Sequence, residues 1–195
     1  TRDGGTLISD VSGIEQYITN LSYLKTTGYE VQYSFGFNLA SMGTIDFNGQ
    51  MNHYIDVESL SSPTSQVLDC NGYFGTSCAP QHETRANQRV TWNYEDYSLG
   101  LLWRWMSDID RAPEEAAGTF APFRHIGSYS YVDLYGSYQI SESMKVNFGV
   151  DNLLDRDAPV VGGEAASTSW NSGNTFPSHY DMVGRTYRMT VNVKF

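Results

Sequence analysis

Apolar and polar residues alternate along most of this chain. The clearest run is at the C-terminus, where Tyr187, Met189, Val191, Val193 and Phe195 are separated by the polar Arg188, Thr190, Asn192 and Lys194. Successive side chains of a strand point to opposite faces, so a period of two predicts a strand with one greasy and one wet side. The same period sets Val31, Tyr33, Phe35, Phe37 and Leu39 against Gln32, Ser34, Gly36 and Asn38. It sets Ile45, Phe47 and Met51 against Asp46, Asn48, Gln50 and Asn52. It continues through Val90, Trp92 and Tyr94, then Tyr97, Leu99, Leu101, Trp103 and Trp105. Val132, Leu134, Tyr138 and Ile140 extend it, as do Met144, Val146, Phe148 and Val150. No comparably long window repeats at helical spacing. The chain reads as all-β, with about seven strands.

The connections alternate in length. Short polar turns fall at 38–43, 95–96 and 141–143, whereas long Gly-, Pro- and Ser-rich segments run over 58–84, 108–128 and 154–184. Asn48-Gly49 is a favoured hairpin dipeptide. It is read as in-strand, because a turn there would leave two strands too short to pair. All long connections then fall at one end of the sheet and all short ones at the other, the asymmetry of transmembrane β-barrels. The predicted strands are about nine to twelve residues, close to what a tilted strand needs to cross a bilayer. Tyr94, Tyr97, Trp103, Trp105, Tyr131, Tyr138, Tyr187 and Phe195 near strand ends suit interfacial aromatic girdles. The competing architecture is a soluble sandwich, in which a second sheet of the same chain would cover the apolar face.

Composition narrows the classes further. The chain has 195 residues, 12 Lys+Arg against 22 Asp+Glu, a formal charge of −10, and only 17% charged residues. An aromatic content of 14% argues against a disordered acidic tail. The acidic balance gives no electrostatic footprint for nucleic acid. No apolar stretch is long enough for a membrane-spanning helix. The start, Thr1-Arg2-Asp3-Gly4-Gly5, is not a signal peptide, so an export signal is expected on a segment outside this chain. Cys70 and Cys78 lie in a Gly/Asn/Pro-rich stretch. That spacing suits a local disulfide in an oxidising compartment or, alternatively, two free thiols; a zinc site lacks a histidine at ligand spacing.

The segments 20–30, 70–78, 131–138, 150–156 and 173–187, taken together, resemble the C-terminal barrel of the TonB-dependent outer-membrane receptors. Asn20 followed by Lys25-Thr26-Thr27-Gly28-Tyr29-Glu30 is similar to one of the family's strands, and Tyr131-Val132-Asp133-Leu134…Tyr138 to another. Val150-Asp151-Asn152-Leu153-Leu154-Asp155-Arg156 resembles a frequent family motif, with Leu154 where Phe is commoner. Gly173-Asn174-Thr175-Phe176-Pro177…Tyr180-Asp181…Gly184-Arg185-Thr186-Tyr187 resembles the approach to the last strand. The Cys70–Cys78 segment resembles the disulfide-bearing extracellular loop of one branch. The terminal set Tyr187, Met189, Val191, Val193 and Phe195 resembles the strand signal read by the β-barrel assembly machinery.

The resemblance implies an antiparallel transmembrane β-barrel segment, about seven strands of a 22-stranded barrel with a plugged lumen. Long loops would be extracellular and short turns periplasmic. Seven strands cannot close alone in lipid without bare edges, so a C-terminal fragment or one half of a split receptor is expected. Its implied partners are the remaining barrel strands and plug, TonB acting through that plug, outer-membrane lipid and the assembly machinery. The implied function is TonB-energised uptake of a bulky scarce solute: a ferric siderophore, cobalamin, an oligosaccharide or a peptide. Other classes are a small outer-membrane barrel acting as adhesin or structural protein, and a secreted β-sandwich carbohydrate binder.

Ligand-contact candidates come from loop composition alone: Trp170, Asn171 and Asn174, and Asp108, Asp110 and Arg111. Glu114, Glu115, Arg124, Glu164, His179 and Asp181 share those loops. His53, His82, His125 and His179 lie without metal-ligand spacing, and no EF-hand pattern supports calcium at the acidic loops. Asp46, Asp133, Asp151, Arg104 and Arg188 read as ion pairs and hydrogen bonds of the wet face. No catalytic, phosphate-binding or dinucleotide motif is present, so neither an enzyme nor a cofactor is expected.

Overall fold

A computed structural model of the chain describes residues 22–60, 62, 65–163, 165, 171 and 174–195. Asn20, Glu164, Trp170 and Gly173 lie outside the described residues. The strands are β1 (Tyr23–Asn38), β2 (Thr44–Leu60), β3 (Leu68–Asp69), β4 (Tyr73–Phe74), β5 (Thr84–Tyr94) and β6 (Tyr97–Met106). They continue with β7 (Ile109–Arg111), β8 (His125–Ile126), β9 (Tyr129–Ser141), β10 (Met144–Asp151) and β11 (Thr186–Val193). The main sheet runs β1-β2-β5-β6-β9-β10-β11, with β3 added at the upper end of β2, and every pairing in it is antiparallel. It is a meander, open at β1 and β11 among the described residues.

Three tight turns join strands at the lower end. After β1 a 3₁₀ turn, Ala40–Met42, is entered through the Asn38 side chain, whose Oδ1 accepts the Ala40 N–H at 2.8 Å. Gly43 leaves that turn at φ +86, and a Cβ there would stand 2.0 Å from the Asn93 carbonyl oxygen, so only glycine fits. Glu95-Asp96 closes β5 to β6 and Glu142-Ser143 closes β9 to β10. The Asn48-Gly49 pair is inside β2, as the sequence reading has it, and the reason is packing. The Tyr33 ring lies over Gly49, where a Cβ would meet it at 2.2 Å, and the Tyr33 hydroxyl donates to Gln88 Oε1. Aromatic cover of a cross-strand glycine pins register.

Register sorts the residues into two faces. Phe35 pairs with Phe47, Trp92 with Leu99, Leu101 with Leu134, and Phe148 with Met189 on one face. These side chains stay open: Phe35 is 48% exposed, Leu101 45% and Met189 72%. Among the described residues no second sheet covers that face, which rules out the sandwich. Aromatic pairs lie near its two ends. Trp92 and Tyr94 stack at 5.7 Å and Tyr97 and Tyr138 at 4.5 Å by the turns; Trp103 and Trp105 stack at 6.5 Å by the loops.

The opposite face is wired by polar contacts. Arg104 grips Asp133 with two bonds of 2.8 and 2.9 Å, Arg188 meets Asp151 at 2.9 Å, and Asn93 donates to Asp46 at 2.8 Å. One expected girdle residue belongs here instead. Tyr131 pairs with Arg104 on the inner face and is 1% exposed. It shares its parity with Asp133 and Tyr135, so the period of two outranks its nearness to a strand end.

The uncovered face predicts an asymmetric cost. Leu101→Arg in the membrane-inserted full barrel is expected to lose about 2–4 kcal/mol, whereas Ser137→Lys on the inner face costs under about 1 kcal/mol. Denaturant unfolding in lipid vesicles reads the difference; equal losses would refute the assignment of faces.

Candidate functional site

The three long connections do not hang loose. The second sheet is built wholly from them: β4 pairs in parallel with β7 (Tyr73 with Asp110, Phe74 with Arg111), and β7 pairs antiparallel with β8. Around it lies a compact apolar core of Phe74, Met106, Ile109, Ile126, Tyr131, Val161, Ala165, Phe176 and Tyr180. Met106 and Tyr131 come from the inner face of β6 and β9, so the loops fold inward onto the top of the wall as one cap. The 108–128 connection is packed rather than open: its Ile109 is 1% exposed and sits in one core with Phe74 of β4, 0% exposed.

Each connection is pinned at its stem. Asn71 donates its amide to the carbonyls of Tyr54 and Ile55 at 2.9 and 3.2 Å, where the β1–β2 ladder slips by one residue. Beside it Cys70 and Cys78 form a disulfide with a Cα–Cα distance of 5.4 Å, closing the turn that delivers Phe74 to the core. The Asn152 motif is a hinge. At φ +51 and 0% exposure, Asn152 accepts the Arg156 N–H and donates to the Arg156 carbonyl, both at 2.9 Å, while its own N–H meets Asp133 at 2.9 Å. Asp155 then accepts the Arg185 N–H at 2.9 Å, drawing together the two ends of the last loop.

A polar seam joins cap and wall. His82 donates Nδ1–H to the Ser107 carbonyl at 2.5 Å and receives the Tyr180 hydroxyl at 3.5 Å. His179 accepts from the Arg85 guanidinium at 2.5 Å and donates to Ser178 at 2.7 Å. Both rings are therefore held neutral. Burial first, then Arg85, pushes His82 down to about 4; burial, Arg85 and His82 push His179 down to about 3. The sequence carried no sign of this pairing, since the two histidines are 97 positions apart and meet at 5.3 Å only when the loops fold.

The predicted contact residues separate. Asp108 and Asp110 are exposed, and Asp110 pairs with His125 at 2.7 Å. Ligand atoms of Asp108, Asp110 and His125 lie within 4.8 Å of one another, a grouping that linear spacing did not reveal, but all three face solvent. Arg111 is buried and meets Glu115 at 2.5 Å; Glu115 also accepts the Thr76 hydroxyl at 2.6 Å. Burial raises the Glu115 pKa, but the Thr76 bonds and Arg111 outweigh it and hold the carboxyl below its usual range. Asn171 is buried and ties the Gly162 and Gly163 carbonyls at 2.9 and 3.2 Å, and Asn174 is exposed at φ +61. Tyr187, Met189, Val191 and Val193 share the open face of β11, and Phe195 follows it, fully exposed.

Two hollows accompany this framework. One of about 680 Å³ lies on the inner wall, lined by Gln32, Asn48, Gln50, Asn87, Arg89 and Arg104. The other, of about 560 Å³, is inside the cap and lined by Arg111, Glu115, Phe120, Phe123, Gly162 and Ala165 among others. The cap hollow joins charge, aromatic surface and fixed backbone at the loop end, and is the candidate site.

Residues 1–153 match the family model described as TonB dependent receptor-like, beta-barrel. The ferric aerobactin receptor of Escherichia coli is 36% identical over 72 residues, 36% of this chain and 10% of that protein. The solved ferric enterobactin receptor of Pseudomonas aeruginosa superposes with a TM-score of 0.56 at 17% identity, over 87% of this chain and 22% of that one. The ferric-catecholate import receptor Fiu of Escherichia coli gives 0.54 at 18%, over 87% and 21%. These structural likenesses carry the fold. The chain spans about a tenth of the length of the curated relatives it matches.

Two outcomes follow for the cap. Both histidines titrate near 6.5 when the loops open, so their contribution is complete above that pH and is lost as pH falls towards 4 and 3. Amide protection factors around Ser107 and Tyr180, corrected for the intrinsic exchange rate, are expected to fall between about pH 6.5 and 4, and the His82→Gln/His179→Gln double variant is expected to lose that fall. Replacing Cys70 and Cys78 by Ser is expected to cost the cap about 2–3 kcal/mol. Limited proteolysis should then cut 70–83 faster while the β5–β6 hairpin stays resistant.

Proposed function

The chain belongs to the TonB-dependent receptor-like β-barrel family, an outer-membrane family, and we propose that it forms the C-terminal part of the barrel of a receptor taking up a ferric siderophore. The rest of that barrel and a plug would pair with β1 and β11 and fill the space against the inner wall. TonB would supply the energy through the plug, and the assembly machinery would read the β11 edge with Phe195.

One observation carries the reading. The wall is a single layer, apolar outside and polar inside, and among the described residues its long loops are packed into one cap at one end. That arrangement suits a protein that holds a solute at the outer surface before passing it inward. The 36% identity to the ferric aerobactin receptor favours a siderophore of that kind over cobalamin, sugar or peptide. A small adhesin barrel fits less well, because the described sheet leaves both edge strands unpaired in a layer that lipid would surround.

The test is iron uptake by cells that express the full-length receptor as their single route for ferric siderophores. Labelled ferric aerobactin should accumulate with TonB present and stop without it. Uptake of ferric catecholates in its place would change the solute and keep the class. Failure of every ferric siderophore to bind the purified receptor would end the proposal.

A further inference from the structure

Arg111 ends β7 inside the cap and is only 7% exposed. Its Nη2 meets Glu115, and the Phe74 ring lies 5.8 Å from its guanidinium carbon. Its Nε and Nη1 are shielded from solvent and find no acceptor among the described residues. A buried donor without a partner is costly, and more so on a cation, so such a group marks a place where an acceptor is missing. The same side chain lines the cap hollow of about 560 Å³, a volume in the range of small-ligand sites.

The surroundings define what fits. Glu115 is already engaged, accepting the Thr76 N–H at 2.9 and 3.1 Å and its hydroxyl at 2.6 Å. It orients Arg111 without using all of its donors. Its negative charge also limits the ligand, which must reach Arg111 through one carboxylate while any further charges point away from Glu115. Phe120, 72% exposed, and Phe123 offer apolar cover, and the Gly162–Gly163 backbone is fixed by Asn171.

We propose that this hollow is a carboxylate subsite, in which Arg111 receives an oxyanion of the incoming chelate and Phe120 and Phe123 cover its apolar part. That the oxyanion belongs to a ferric chelate rests on the uptake reading; the preference for a carboxylate rests on Arg111 and its surroundings. A planar guanidinium with free N–H groups matches a carboxylate better than an ammonium would.

Two variants test it in the full-length receptor in detergent, titrated by calorimetry with iron-free citrate and with ferric aerobactin. Arg111→Gln should weaken binding of both by about tenfold or more, and Arg111→Lys by less. Gly118 lines the hollow and a Cβ there meets nothing nearer than the Glu115 carbonyl at 3.9 Å, so Gly118→Phe leaves every charge in place and has room to set its ring against the hollow. It should weaken binding as Arg111→Gln does, and it decides the matter if Arg111→Gln misfolds. Unchanged binding of both probes to Gly118→Phe overturns the subsite and leaves the uptake reading standing. Arg111-dependent citrate binding with no ferric chelate bound keeps the subsite and ends the uptake reading. Inorganic phosphate binding as tightly as citrate, or no saturable citrate binding by the parent protein, overturns the carboxylate assignment.

Discussion

The wall of this protein is a single sheet; among the described residues its outer face is uncovered, and its inner face is covered by the chain only where the loop cap folds onto its upper end. Its backbone groups must therefore find partners entirely along the sheet, because hydrocarbon on the outside offers none. Antiparallel pairing of sequence neighbours meets that demand locally, and the short lower turns exist to bring it about. Gly43, fixed by the Asn93 carbonyl against it, shows how little freedom those turns retain. The edges β1 and β11 are where the demand is unmet among the described residues.

With no core in the wall, packing is concentrated at the loop end. There the protein behaves as an ordinary globular fold: an apolar cluster, a small sheet and a disulfide. A neutral histidine seam ties this cap to the strand tops. The two regions are joined by residues that serve both. Asp133 holds Arg104 on the wall and the Asn152 backbone in the hinge; Tyr131 packs in the cluster and accepts the Asp181 N–H at 3.0 Å. Such sharing makes the cap an extension of the wall rather than a set of independent loops.

This division of labour fits a receptor. The wall's chemistry is generic, set by lipid on one side and polar filling on the other, and it says little about any particular solute. Side chains held one by one by their partners lie instead in the cap, around Arg111 and Glu115, where the proposed carboxylate subsite sits.

Alternation along the chain sufficed to determine the strands, their faces, the turns at one end and the in-strand place of Asn48-Gly49, because a period of two is a local property that any half-wet sheet imposes. It also placed Asp133 with Arg104 and Asp151 with Arg188 on one side. It misplaced Tyr131 only where position near a strand end was preferred to parity. What lay beyond it was everything made by loops meeting loops. Phe74, His82, Ile126, Phe176 and Tyr180 carry no period, and His82 and His179 sit in separate connections whose closeness depends on three chains of backbone folding over one rim. Arg111 looked like any loop arginine. Its burial, and the two nitrogens left without acceptors, come from the β4–β7 pairing and Glu115, which are tertiary facts with no trace in local sequence.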